Sequence, residues 1–408
     1  MARRQVIREW FLIRPPDYFT LSMIKLLKID IIHPLPWLHE QKQRLPGIAT
    51  LTLAEYRNWL LGLKSNYSDF YTYPLNETKE WQAEEYFLAD PDYTRKVAEH
   101  LWGKPAARLK EYAMRGSGRL REQPGRWPRY VLDQYIRAFA PHVLFVRSHP
   151  LPSTFWLPYR PTTLLVSRLS ARLPFHWHPN HWDLLYTDLP DFQHFFELHG
   201  VPTVLNDQGF DARILAELRD NPPARGVVFV GGMGTENFAR RTEFFERLAV
   251  KIPFRWWGYW WTHGGDGRRL ADFPALAASY QGYTSGTAMF QLYRDAAICL
   301  NDYVDIANGI GTNQRMYEVM GVGGFLLTRQ APNFADQFPP DIFATYTDEA
   351  DCLRQIAHYT QNSEERRAIA RRGQAFVLAH HEYRHIALSF GEDVKRRLRE
   401  RNLLPETA

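Results

Sequence analysis

Short apolar runs alternate with stretches of helical periodicity along most of the chain. That rhythm predicts helices packed on parallel strands, a doubly wound α/β arrangement. In the first half, residues 6–13 and 29–32 read as strands around a helix over 18–28, with Pro15-Pro16-Asp17 as the break. Residues 53–63 predict a helix, 70–73 a short strand, and the polar, aromatic stretch 76–103 a helix. Then come helix 130–139, strands 143–146, 163–166 and 182–186, helix 191–198 ended by Gly200, and strand 202–205. Asn221-Pro222-Pro223-Ala224-Arg225-Gly226 has the composition of a linker. A second series follows: strand 227–230, helix 240–250, strand 254–257, helix 288–296, buried strand 298–300, and closing helices over 364–379 and 385–401. The predicted divisions are a Rossmann-like domain at 1–220, the linker at 221–226, a second Rossmann-like domain at 227–385, and a C-terminal helix and tail at 386–408.

One stretch draws the second series together. Asn308 to Gly311 reads as a glycine loop; Met316, Val319, Met320 and Val322 recur at helical spacing, Gly321, Gly323 and Gly324 end that helix, and Phe325-Leu326-Leu327 starts a buried strand. Thr312 or Asn313 would cap the helix. The free N–H groups at such a helix start bind anions, phosphate above all. Arg315 and Glu318 are three residues apart and share a helix face. The cation could hold a diphosphate, and the carboxylate could accept hydrogen bonds from sugar hydroxyls. Gly231-Gly232-Met233-Gly234 also follows a strand and precedes a helix bearing Arg240 and Arg241. This is a phosphate-loop context, though neither a GxGxxG fingerprint nor a P-loop. The aromatic run Phe254 to Trp261 reads mainly as core, with one ring able to cover a nucleobase.

Composition narrows the picture. The 408 residues suffice for two domains. Cys299 and Cys352 are the only cysteines, so no disulfide framework is expected, which suits a reducing compartment. No apolar run approaches the ~20 residues of a membrane span, and no leader is evident, so a cytoplasmic protein is expected. A formal charge of +5 mildly favours anionic partners. Residues 104–129 hold eight basic residues against two acidic ones. They read either as a solvated surface excursion or as a patch for an anionic acceptor or membrane face. His176, His178 and His181 with Asp183 lack a regular metal spacing, and no HExxH, GxSxG, Walker A or kinase motif is present. No metal, cofactor or nucleic-acid partner is expected.

Val228-Phe229-Val230-Gly231-Gly232, Arg241, Trp257-Gly258, Tyr293 to Asn301, Arg315-Met316-Tyr317-Glu318, Gly323 to Thr328 and His381-Glu382-Tyr383-Arg384 form one ordered series. It resembles the donor-binding half of GT-B glycosyltransferases, most of all the spore-maturation-protein (CgeB-like) group of "group 1" glycosyltransferases. The resemblance spans about residues 182–390. It implies two Rossmann-like domains facing a cleft, with the C-terminal helix crossing back to the first. It also implies sugar transfer from a UDP-, GDP- or dTDP-sugar to an acceptor hydroxyl held by the first domain, the acceptor being a glycan, protein or lipid-linked group. Such enzymes carry two Glu residues eight apart. Glu318 matches the one that binds ribose, whereas Ile310 stands where the other would fall. By the same resemblance Thr312 and Asn313 should face the diphosphate, and Arg241 or Arg315 should offset its charge. Gly231, Gly232, Trp257 and Gly311 complete the expected donor site. Asp17 and His149 follow first-half strands and are the acceptor-side candidates, His149 as base or polar contact. The rival readings are a GT-B-fold nucleotide-sugar epimerase and a non-catalytic partner subunit.

Overall fold

The computed structural model describes residues 23–65, 68–114, 125–174, 176–205, 208–220, 222, 225–261 and 266–404. The 6–13 strand, Asp17, and Arg115, Arg119 and Arg121 of the basic stretch lie outside these residues. Among them every strand pairing is parallel. The first sheet contains β1 (Ile24–Asp30), β2 (Trp81–Phe87), β3 (Val143–Val146), β4 (Leu164–Arg168), β5 (Leu184–Thr187) and β6 (Thr203–Leu205), in the order β2-β1-β3-β4-β5-β6. The second half holds β7 (Arg225–Val230), β8 (Met233–Gly234), β9 (Phe254–Trp257), β10 (Trp260–Trp261), β11 (Ala296–Asn301), β12 (Leu326–Arg329) and β13 (Ala344–Tyr346). Its five-stranded sheet runs β13-β12-β11-β7-β9, and β8 pairs with β10 alone. Helices cover both faces of such sheets, which is why β3 and β4 are apolar and buried at nearly every position. The expected pair of Rossmann-like sheets is therefore present.

Several local expectations change. The 18–28 helix gives way to β1 from Ile24, and β1 ends at Asp30 rather than running to Ile32. Lys25 and Lys28 gave that segment a helical look, but Lys28 is fully buried, donating to Glu85 on β2 and to the Ser68 carbonyl, each at 2.8 Å. The same pair explains β2 inside the supposed 76–103 helix. Glu84 and Glu85 break the apolar alternation, yet Glu85 meets Lys28 and Glu84 meets Arg57 at 2.7 Å. Residues 70–73 lead into the Thr72–Glu77 helix instead of forming a strand. The basic stretch begins as a helix, Lys104–Met114, and ends in another, Arg126–Phe139.

The Tyr383–Glu400 helix crosses back onto the first domain. Its Phe390 ring meets Tyr71, Phe145 and Tyr186 at centroid distances of 5.3, 4.7 and 5.3 Å. Arg401, just beyond it, pairs with the fully buried Asp183 carboxylate, which also accepts from Arg160 at 2.9 Å. Asp183 is thus an anchor for the crossing segment. The chain passes between sheets beside this anchor, where Phe210 exchanges main-chain hydrogen bonds with His381 and Tyr383, both 2.9 Å. Loops beyond the strand ends of the two sheets also meet: Arg172 pairs with Glu236, and the Ser65 and Ser285 hydroxyls are 3.0 Å apart. The carboxyl ends of the strands face this junction, the place where open α/β sheets bind ligands.

Candidate functional site

The second sheet's strand ends carry the densest polar constellation. β7 runs into Gly231-Gly232, and Gly231 donates its N–H to the Trp257 carbonyl at 2.9 Å. The Gly231 carbonyl accepts from Trp256 Nε1 at 2.8 Å. A side chain at Gly231 would run into the Arg315 guanidinium, and one at Gly258 into the Gly231 carbonyl. Only bare backbone fits here. Tyr259 packs over Gly232, while the Trp257 ring lies beside Arg225, 6.0 Å away.

Two arginines underpin this turn. Arg241, on the Ala239–Lys251 helix, is 3% exposed and donates to the Gly232 carbonyl and, at 3.2 Å, to that of Asp302. Its Nε has no partner. Burial, with the neighbouring charge of Arg315, pulls its pKa down to about 9. Arg315 donates Nε to the Val230 carbonyl and Nη1 to Asn301 Oδ1 at 2.6 Å. Both guanidiniums lie against Phe229, at 5.3 and 4.4 Å from its centroid. Among the described residues neither guanidinium forms an ion pair, whereas the adjacent Arg240 binds the fully buried Asp302 carboxylate at 2.9 Å. Arg329 holds the other oxygen of Asp302 at 3.0 Å. The result is two adjacent cations held by carbonyl and amide oxygens at a bare-backbone turn, an arrangement that attracts an anion.

The glycine loop abuts them. Gly311 sits against Ala331 and Phe334 with no room for a side chain, and Asn333 clamps its N–H at 2.7 Å and its carbonyl at 3.2 Å. Asn313 is the cap of the Gln314–Gly321 helix: its Oδ1 accepts from Met316 N and its Nδ2 donates to Asn301 Oδ1 at 3.0 Å. Asn301 Oδ1 therefore ties the helix start and Arg315 to the end of β11. Thr312 Oγ1 is buried there without a partner. One turn along, burial pushes Glu318 up to about 7, against the pull of the Arg315 charge and a hydrogen bond from Gln314. Gln314 in turn donates to the Gly209 carbonyl at 2.8 Å and accepts from the Tyr383 hydroxyl at 3.0 Å, linking the helix to the interdomain crossing.

Across the junction, His149 follows β3. Its Nε2 lies 3.3 Å from the Arg168 carbonyl and 3.2 Å from Ser167 Oγ, and its ring stands edge-on to Trp177 and Trp182. Burial lowers its pKa to about 4, so the imidazole is neutral, and its buried Nδ1 has no partner. At the end of β1, Asp30 accepts from Ser148 Oγ at 2.5 Å and from the Ile31 N–H at 2.9 Å.

The comparisons with known proteins bear on the cation-rich half. Residues 240–390, less than half the chain, match the family described as glycosyl transferase-like. Solved structures match over nearly the full length. Sucrose-phosphate synthase from Thermosynechococcus elongatus is 12% identical, with 91% of this chain and 98% of that one covered and a TM-score of 0.52. Anabaena HepE in complex with UDP-glucose is 11% identical, with 91% and 100% covered and a TM-score of 0.53. The N-terminal domain of Candida albicans trehalose-6-phosphate phosphatase is 11% identical, with 93% and 98% covered and a TM-score of 0.51. The chain has the GT-B fold. No curated protein matches it in sequence.

Within this GT-B fold, Gly231, Gly232, Arg241, Arg315, Gly311, Thr312, Asn313 and Glu318 converge at the ends of β7 and β11. Trp257 joins them through its backbone, with Tyr259 supplying the ring over Gly232. His149 stands apart on the other sheet, and Asp17 lies outside the described residues. Among those residues no group of three or more His, Cys, Asp or Glu side chains could hold a metal. Asn301, Asp302, Gln314 and Asn333 were not foreseen. For Asn301 and Asp302 the signal was present: polar residues that end an apolar buried strand mark a ligand edge.

Proposed function

We propose that the protein transfers a sugar from a nucleoside-diphosphate sugar to an acceptor hydroxyl. The observation that carries this reading is the Arg241–Arg315 pair, two adjacent guanidiniums that form no ion pair among the described residues, beside a bare glycine turn and a capped helix start. A diphosphate matches that charge and those N–H donors. The match of residues 240–390 to glycosyl transferase-like proteins and the UDP-glucose complex of the HepE neighbour support it. The motif order favours the CgeB-like group.

In the reaction the bond from the anomeric carbon to the phosphate oxygen breaks, and its electron pair leaves on the nucleoside diphosphate. The acceptor oxygen bonds to that carbon, and its proton passes to an oxygen of the departing diphosphate. Arg315 and Arg241, with the N–H groups of the helix start, stabilise the departing charge. Gly231 and Gly232 let the backbone approach the donor, and Glu318 accepts hydrogen bonds from ribose. With those cations in place the transfer needs no divalent metal, and activity in EDTA should equal that without it. His149 offers only the lone pair of Nδ1, which is weakly basic and covered by Trp177 and Trp182. With Nε2 engaged and Nδ1 buried, His149 is assigned neither the base nor an acceptor contact. The buried free thiols Cys299 and Cys352 fit a cytoplasmic setting.

A thermal-shift panel of UDP-, GDP- and dTDP-sugars, followed by assay of nucleotide release, tests the proposal. One donor should stabilise the protein, and release should depend on added acceptor extract. A changed sugar without release would make the protein an epimerase. No stabilisation by any donor would leave a non-catalytic subunit.

A further inference from the structure

The Lys104–Met114 helix of the first domain has an unusual outward face. Residues 104, 105, 108, 109, 112 and 113 are all exposed and follow one another around the same side, while Ala107 is buried on the other. That face carries Pro105, Leu109, Tyr112 and Ala113 with Lys104 and Arg108, and no acidic residue. Leu109 is 71% exposed and Tyr112 80%. The one acidic residue of the helix, Glu111, is half-buried and shares a groove with Lys104 and Arg108, which Asp92 and Glu99 of the preceding helix also line. A solvated helix face would be polar with both charge signs mixed.

What lies next to this face points the same way. Trp102, Trp127 and Tyr130 form a half-buried aromatic cluster, with centroids 5.7 to 6.3 Å apart. Lys110 Nζ lies 5.1 Å over Trp102 and 6.0 Å over Tyr130. Arg126 is exposed at the start of the following helix. Exposed apolar side chains between cations, with Trp and Tyr at their edge, match the boundary of an anionic bilayer: headgroups meet the cations, and the apolar tips enter the outermost acyl region. No helix among the described residues is long and apolar enough to cross a membrane.

We infer that this helix face docks the protein on the surface of an anionic phospholipid membrane. The occupant follows from charge complementarity: cations outnumber carboxylates here, since Lys104 and Arg108 share a groove with Arg95, Lys96, Asp92, Glu99 and Glu111 while Lys110 and Arg126 lie beside it, and Leu109 and Tyr112 need a partner that also offers hydrocarbon. The inference does not depend on glycosyl transfer, since vesicle binding can be read without any donor.

Sedimentation with vesicles separates the outcomes. The full chain should bind phosphatidylcholine vesicles containing phosphatidylserine, much less those of phosphatidylcholine alone, and added salt should weaken binding. A Lys104→Gln/Arg108→Gln variant should bind about thirtyfold more weakly, from about 1 kcal/mol per cation near the surface. Leu109→Ser/Tyr112→Ser should also lose affinity. Both variants should keep the parent melting temperature and the parent response to the nucleotide-sugar panel. No binding to the anionic vesicles, or equal binding to both vesicle types, would overturn the proposal. So would a Leu109→Ser/Tyr112→Ser variant that binds vesicles and heparin as tightly as the parent, which would identify a soluble polyanion as the partner.

Discussion

Replacing Arg315 by Ala should slow turnover by about 10²–10³-fold, the range found when one donor to a developing oxyanion is removed. Donor Kd should rise less than tenfold. As the nucleoside diphosphate departs, negative charge on its oxygens is greatest in the transition state, so the loss falls mainly on kcat. A helix start supplies only about half a positive charge, and a side-chain cation must add the rest. Arg315 does two things at once: its charge sits beside Arg241, and its Nε and Nη1 pin the Val230 carbonyl and Asn301 Oδ1. Arg315→Lys should recover part of the rate only, because a point-like ammonium cannot span both partners as a planar fork does. Steady-state kinetics, donor titration by calorimetry and a melting curve for each variant decide the matter. An Arg315→Ala enzyme with unchanged kcat would remove the residue from the chemistry. A rise in Kd matching the fall in kcat/KM would leave it as a support for the glycine turn. Activity lost in EDTA and restored by Mg²⁺ would move the charge stabilisation to a metal.

The second sheet could be read from the sequence because its strands are short apolar runs that end in glycine or in a polar residue. Val230 runs into Gly231-Gly232 and Leu300 into Asn301, and these stops are also the edge at which the candidate site lies. The first sheet was harder to read because it buries charge. Lys28 and Glu85 occupy inward positions on neighbouring strands and pair with each other, so each strand alone looks polar. Their pairing spans 57 residues of sequence, which no local pattern reveals. The same limit held within the site. Arg315 and Glu318 could be placed from helix spacing, and Asn313 from capping rules. Asn333 clamps Gly311 from 22 residues away, and Gln314 reaches Gly209 from 105. Those contacts exist only once the sheets have assembled. The direction of the Arg315 side chain was likewise invisible: it points beneath the Gly231 turn, as its bond to the Val230 carbonyl requires.

Donor affinity should depend on pH through Glu318. Its carboxyl titrates near 7 because burial penalises the charged form, with Arg315 and Gln314 offsetting only part of that penalty. The folded pKa lies above the unfolded one, so between about 4.5 and 7 the folded chain holds more protons. This group's contribution to stability is therefore greatest at low pH and is lost as pH rises through 7. Glu85 has the same raised pKa of about 7, so a stability slope alone would not single out Glu318. Donor binding does, because Glu85 lies in the first sheet. If ribose hydroxyls donate to an ionised Glu318, binding expels its proton, and affinity should fall about tenfold from pH 8 to pH 6. Arg241, near 9, and His149, near 4, titrate outside that window. Glu318→Gln should flatten the profile. Glu318→Ala should cost about 1.5–3 kcal/mol of donor binding at pH 8, the value of a charged hydrogen bond. Calorimetric titrations at pH 6, 7 and 8 in buffers of differing ionisation enthalpy measure both the affinity and the proton released. A Glu318→Gln protein with the parent's pH profile would show that some other group carries the linkage, and would take the ribose contact away from Glu318.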